Sequence, residues 1–174
     1  MRDISILSLN FDTYLNEAPP GPKLDYRVRF DWIDRNRSTY SSGEGIPLLK
    51  LNGSLDWAEC SGGHRGLLNY SITESTFPGG RCRVQLCNST IASLLVTPHS
   101  EYDSLFACLW KEAEEALARA DKIVIIGYSF PHYDKRVIEL FQRSLKVSME
   151  IEIIDMKMGN ESEGEARSRI QAKY

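Results

Sequence analysis

The chain has 174 residues, 42% of them hydrophobic, and its 21 basic and 24 acidic side chains leave a net charge of −3. That is enough apolar material for one buried core, and so even a charge balance leaves no basic footprint for nucleic acid. No apolar run approaches the roughly 20 residues needed to cross a bilayer, so no membrane partner is expected. The segment after Met1-Arg2-Asp3 breaks at Asn10 and Asp12, unlike a signal peptide, so a cytoplasmic protein with reduced thiols is expected.

In chain order, Ile4–Leu9 reads as a strand that ends in Asn10-Phe11-Asp12, and Pro19, Pro20, Gly21 and Pro22 then stop any helix. Across Lys23–Gly45 the alternation of Tyr26, Val28, Phe30 and Trp32 predicts a surface strand, followed by a Ser/Gly-rich loop at Ser38–Gly45. Leu48–Leu51 predicts a short strand ending at Asn52-Gly53-Ser54. The stretch Ala58–Asn88 is rich in glycine and holds two predicted short strands, Leu67–Ile72 and Arg83–Leu86. It also carries Cys60, His64, Cys82 and Cys87, spelling Cys-x3-His and Cys-x4-Cys, a loose form of zinc-ribbon spacing. Four N/S ligands on two tight turns could close a tetrahedral site; unligated loop cysteines are the alternative. Ile91–Thr97 returns to the core.

Glu101–Arg119 is the clearest helix, with Tyr102, Leu105, Phe106, Leu109, Ala113, Ala116 and Leu117 on one stripe, Ser100 as its N-cap and Cys108 expected in the core. The run Lys122–Ile126 reads as a strand buried on both faces, which is the pattern of a parallel sheet covered by helices. It ends in Gly127-Tyr128-Ser129 and is followed by a helix from Tyr133 to Lys146, with Pro131 and Asp134 suited to its first turn. Glu150–Ile154 is a further strand, ending at Asp155. The charged tail Gly159–Tyr174 is either a solvated helix or disordered. The alternation after Glu101 argues for βαβ units and a Rossmann-like sheet. His99 and His132 are expected to be loop or cap residues.

Three turns, taken in order, carry a resemblance. Asn10-Phe11-Asp12, Leu51-Asn52-Gly53-Ser54 and Gly127-Tyr128-Ser129-Phe130-Pro131 resemble the SIR2-like family, the sirtuins and their NAD-hydrolysing bacterial relatives, over about Ile4–Asp155. The resemblance implies an α/β fold: a Rossmann-like, mostly parallel sheet with flanking helices and a small loop-rich insert containing cysteines. Residues 1–57 and 89–158 would form the SIR2-like domain, 58–88 the insert and 159–174 a tail. NAD is the implied cofactor. Asn10, Asp12, Ser54, Gly127, Ser129 and Asp155 would bind it, and Asn10 and Asn52 would stand at the reacting bond. Zinc on Cys60, His64, Cys82 and Cys87 is implied by the small metal module that sirtuins carry in this part of the chain.

Two departures from the family pattern bear on activity. No Gly-rich strand-loop-helix precedes Ile4, so the domain is expected to be N-terminally incomplete. Where the family has the His of His-Gly-Ser as a base toward the ribose hydroxyl, this chain has Asn52, whose amide has no useful proton affinity. The implied activity is cleavage of the nicotinamide–ribose bond of NAD, weak or absent in this chain. The alternatives are a non-catalytic nucleotide-, ADP-ribose- or partner-binding remnant and a deacylase of the sirtuin type. Each residue also has a plainer reading: Asn10 bonding its own turn, Asp12 capping a short helix, Asp155 closing a strand-end turn. A homo-oligomer stays open.

Overall fold

In the computed structural model, which describes residues 3–12, 15, 21–34, 39–40, 43–68, 80–95, 104–155 and 161–173, the chain is mixed α/β. It divides into two compact units, Met1–Ala113 and Glu114–Tyr174.

The first unit begins with β1 (Ile6–Ser8), then β2 (Leu24–Asp25), β3 (Val28–Arg29), β4 (Asp31–Asp34), β5 (Thr39–Tyr40) and β6 (Ile46–Lys50). β6 lies between β1 and β2 and is parallel to both, with Ile6 opposite Leu48 and Leu24 opposite Ile46. Leu48, Leu49 and Leu51 are fully buried, so this short sheet is covered on both faces, the usual state of parallel strands. The expected surface strand over Lys23–Gly45 is instead a series of two- to four-residue strands, of which β3 and β5 pair antiparallel. Val28 and Phe30 are buried: the alternation was read correctly, but its apolar side faces a core.

Past the Leu51-Asn52 turn the chain re-enters extended structure at once. β7 (Gly53–Cys60), β8 (His64–Leu67) and β9 (Ile91–Leu95) join β4 in an antiparallel sheet of order β4-β8-β7-β9. Trp57 sits at its centre, packed edge-on against Tyr26 at 5.5 Å and Phe30 at 5.2 Å and tilted against Phe106 at 6.3 Å. The strand expected at Arg83–Leu86 is a turn, with Leu86 at φ +68° and the Cys87 N–H donating to the Val84 carbonyl at 3.0 Å. Of the strand expected at Leu67–Ile72, β8 supplies the start, and residues 69–79 lie outside the described residues. So do His99 and the cap expected at Ser100.

Helix α1 (Ser104–Arg119) buries Leu105, Phe106, Leu109, Trp110, Ala113 and Leu117. At 100° per residue these six fall within one arc, and Cys108 lies well outside it. Cys108 is accordingly exposed, not in the core.

The second unit holds β10 (Lys122–Ile126), α2 (Lys135–Ser144), β11 (Glu150–Ile154) and α3 (Glu163–Lys173). β10 and β11 are parallel, with Ile123 opposite Ile151 and Ile125 opposite Ile153. β10 is buried on one face only, through Ile123 and Ile125, while Ile126 is 72% exposed. Among the described residues the parallel pairing expected of a Rossmann-like sheet is found in β1-β6-β2 and in β10-β11. In α2, Val137, Leu140 and Ser144 are buried. The tail is helical as α3, and begins with a capping box: the Ser162 N–H donates to Glu165 Oε2 at 2.7 Å, and the Glu165 N–H donates to Ser162 Oγ at 3.3 Å.

Candidate functional site

Two of the turns singled out in the sequence meet in the first unit, though 42 positions separate Asn10 from Asn52. The parallel pairing of β1 with β6 brings their ends level, and the Leu51 N–H donates to the Ser8 carbonyl at 3.0 Å. The Asn52 side chain then crosses to the other turn, its Nδ2 donating to the Leu9 carbonyl at 3.2 Å. Ser54 Oγ donates to the Phe11 carbonyl at 3.4 Å, and the Leu55 N–H donates to that same carbonyl at 2.8 Å. Asn10 is exposed, Asp12 and Asn52 are half-buried, and Ser54 is buried. The turn therefore presents the Asn10 and Asn52 amides and the Asp12 carboxylate, with Ser54 acting from beneath as a brace. Gly53 is demanded by geometry: its φ is +85°, and a Cβ there would stand 2.1 Å from the Leu94 carbonyl oxygen of β9.

Lys50 was not singled out from the sequence, yet it is part of this arrangement. It is 2% exposed in the middle of Leu48-Leu49-Lys50-Leu51, and its Nζ donates to the Asp12 backbone carbonyl. Burial pulls its pKa below the ordinary lysine value, against the opposing pull of the Asp12 and Asp56 carboxylates. Asp56 Oδ2 in turn accepts the Tyr26 hydroxyl at 2.9 Å. A lysine inside an apolar run is the one signal that could have exposed it. Trp110 of α1 also braces the site, its Nε1 donating to the Leu51 carbonyl at 3.1 Å.

The second arrangement is the cluster of Cys60, His64, Cys82 and Cys87, whose ligand atoms all lie within 4.8 Å of one another. Cys60 ends β7 and His64 begins β8, joined by a three-residue loop in which Gly63 has φ +82°. Cys82 and Cys87 flank the turn that follows the Arg81–Thr90 bridge, where the Cys82 N–H donates to the Ser89 carbonyl at 2.9 Å. Cys60 Sγ is 3.5 Å from His64 Nδ1 and 3.9 Å from Cys87 Sγ, and Cys82 Sγ is 3.7 Å from His64 Nδ1. With Zn–S near 2.3 Å and Zn–N near 2.0–2.1 Å, a tetrahedron spaces sulfurs about 3.8 Å apart and sulfur from nitrogen about 3.5 Å. The donor set fits that spacing.

The surroundings of the four ligands fit as well. Backbone N–H groups of His64 and Val84 point at the sulfurs of Cys60 and Cys82, at 3.4 and 3.5 Å, as outer partners of thiolate ligands do. Gly62 leaves room for the cluster: a Cβ there would lie 3.1 Å from Cys87 Sγ and 3.4 Å from Cys60 Sγ. Burial pushes the Cys82 thiol up to about 11, while hydrogen bonds from Ser89 hold Cys87 down to about 6. The surrounding core is small, with Ile91, Leu68 and Val84 as its aliphatic members.

The third turn lies in the second unit. Gly127 has φ +63°, which explains the glycine, and its N–H donates to the Ile154 carbonyl at 2.9 Å. Ser129 is exposed. Asp134 stands at the N-cap of α2 without a side-chain capping bond, because its carboxylate accepts the Tyr128 hydroxyl at 2.6 Å. Asp155 is engaged by Arg169 of α3, NH1 to Oδ2 at 3.1 Å, and Arg169 also bonds Glu161 at 3.0 Å.

No family model matches the chain, and no curated protein matches it. Among solved structures it is similar to sirtuins. A sirtuin structure concerned with substrate affinity shares 15% identity over 67% of this chain and 47% of that one, with a TM-score of 0.44. A variant Sir2 homologue in complex with ADP-ribose shares 20% over 62% and 40%, also at 0.44. A Sir2 homologue in complex with NAD shares 17% over 75% and 54%, again at 0.44. The chain spans about half the length of the solved structures it matches. No helix among the described residues is long and apolar enough to cross a membrane.

Proposed function

We propose that the paired turns at Asn10–Asp12 and Asn52–Ser54 bind the ADP-ribose portion of NAD or a related nucleotide, with little or no hydrolysis of the nicotinamide–ribose bond. One observation supports this above all: the Asn52 side chain reaches the Leu9 carbonyl at 3.2 Å, so the two turns that resemble the SIR2-like pattern lie side by side. With its Nδ2 committed there, Asn52 keeps Oδ1 as an acceptor for a ribose hydroxyl, and Asn10 adds an exposed amide with both donors and an acceptor. The Asp12 carboxylate can accept a second hydroxyl.

Hydrolysis is a different matter. A general base must take up a proton near neutral pH, and the Asn52 amide does not, which lowers the rate by about 10²–10⁴-fold on the usual scale of such assistance. The same substitution counts against a deacylase. We also propose that Cys60, His64, Cys82 and Cys87 hold a structural Zn²⁺, which with four protein ligands leaves no open position for chemistry. A bound ion would tie the β7–β8 loop to the turn before β9.

Calorimetric titration of the 174-residue chain with ADP-ribose and NAD, run beside an assay of nicotinamide release, tests the reading. Saturable binding with release near background is expected. Absence of ADP-ribose binding contradicts the nucleotide site, and rapid release contradicts its non-catalytic character.

A further inference from the structure

We infer that Lys50 is a positioning residue for the proposed nucleotide site, holding the Leu9–Asp12 turn against β6 and β7; the inference rests on the reading of those turns as the ADP-ribose site. Lys50 stands at the end of β6, two residues before Asn52, and is 2% exposed. Its neighbours Leu48, Leu49 and Leu51 are apolar and fully buried, so packing of β6 alone calls for another aliphatic residue. A buried ammonium is costly unless it is balanced and hydrogen-bonded, and replacing such a charge with an apolar residue of similar volume is often neutral for stability.

What lysine adds is directional. Its Nζ donates to the Asp12 backbone carbonyl, across the gap between β6 and the turn after β1. The charge is balanced from two other elements, by Asp12 on that turn and Asp56 on β7. Asp56 Oδ1 is buried with no hydrogen-bond partner among the described residues, which leaves it dependent on a nearby cation. The three groups thus fasten the Asn10-Phe11-Asp12 turn from below. The Phe11 carbonyl is held by Ser54 and Leu55, and the Asp12 carbonyl by Lys50. Without Lys50 the bond at the Asp12 carbonyl is lost, and the neighbouring attachment of Phe11 to Ser54 and Leu55 opens more readily.

The test compares the full chain with Lys50→Met, which keeps the length without the charge, and Lys50→Arg, which keeps the charge and donors. Amide hydrogen exchange at Leu55, whose N–H is bonded to Phe11, reports the turn without any ligand. In Lys50→Met, exchange at Leu55 is expected to speed up at least about tenfold relative to the β7–β8 ladder, and ADP-ribose affinity to fall by about 10–100-fold, the scale of one charge-assisted bond. Lys50→Arg is expected to retain both. Unchanged exchange at Leu55, loosening that is uniform across the sheet, or failure of Lys50→Met to fold overturns the proposal, since the lysine is then either idle or a core residue. A Lys50→Arg chain as loose at Leu55 as Lys50→Met also overturns it. If the unmodified chain binds no ADP-ribose, the nucleotide reading fails, and exchange at Leu55 still decides the role of Lys50.

Discussion

Removing zinc should unfold the part of the first unit that the Cys60 cluster closes. The aliphatic core there is small, with Ile91 buried and Leu68 and Val84 partly so, hence few apolar contacts hold the β7–β8 loop to the Cys82–Cys87 turn. Structural zinc contributes apparent folding free energies of about 10–16 kcal/mol in zinc-finger peptides at neutral pH. Whole domains are stable by only about 5–15 kcal/mol, so loss of the ion is large on that scale. Elemental analysis of purified protein should find one equivalent of zinc. A strong chelator should lower the melting temperature sharply, and re-addition of zinc should restore it. Cys82→Ser should abolish stoichiometric zinc, whereas Cys108→Ser, at an exposed position outside the cluster, should leave it unchanged. Less than about a tenth of an equivalent in the unmodified chain, with a melting temperature indifferent to chelator, would refute the reasoning from donor spacing.

Gly53→Ala should destabilise the first unit by about 2–5 kcal/mol, combining the left-handed penalty with overpacking against the Leu94 carbonyl, as read from a urea midpoint; a midpoint unchanged from the parent would show that β7 and β9 are not in this contact. In α3, hydrogen bonds from Ser162 hold the Glu165 carboxyl below its ordinary value. The capping contribution is therefore complete above the ordinary carboxylate pKa and is lost as pH falls through the depressed one. Backbone chemical shifts of residues 163–173 should report fraying on acidification, and Ser162→Ala should cause it at neutral pH; a helix indifferent to both contradicts the capping box.

Much of this was legible where the physics is local. The stripe of α1 is read from spacing alone, and so is the Cys/His cluster, because Cys60 with His64 and Cys82 with Cys87 each sit on one short turn. The strand β7 was harder to see. Asn52-Gly53-Ser54 has the composition of a turn, and Asp56 and Glu59 interrupt the apolar pattern, yet pairing with β8 and β9 on both sides makes the segment extended. Arg83–Leu86 failed in the opposite sense: the alternation of Val84 and Leu86 suggests a strand, but the Cys87 N–H bonds back to the Val84 carbonyl and closes a turn. Lys50 was missed because lysine is almost never fully buried, so at the end of a strand it reads as a solvated residue, whereas it is 2% exposed. The partner of Asp155 was hidden as well, since Arg169 lies 14 residues further on, in a tail whose charges show no period.

The most direct measurement of the proposed nucleotide site is a titration with ADP-ribose followed through side-chain amide NMR signals. The NH₂ groups of Asn10 and Asn52 should shift together with a single dissociation constant, while that of Asn88, exposed next to Cys87, should stay in place. Asn52 should keep one slowly exchanging amide proton throughout, because its bond to the Leu9 carbonyl belongs to the protein and not to the ligand. Signals of Asn10 and Asn52 that do not move at saturating ADP-ribose, or that move with different dissociation constants, would contradict a site shared by the two turns.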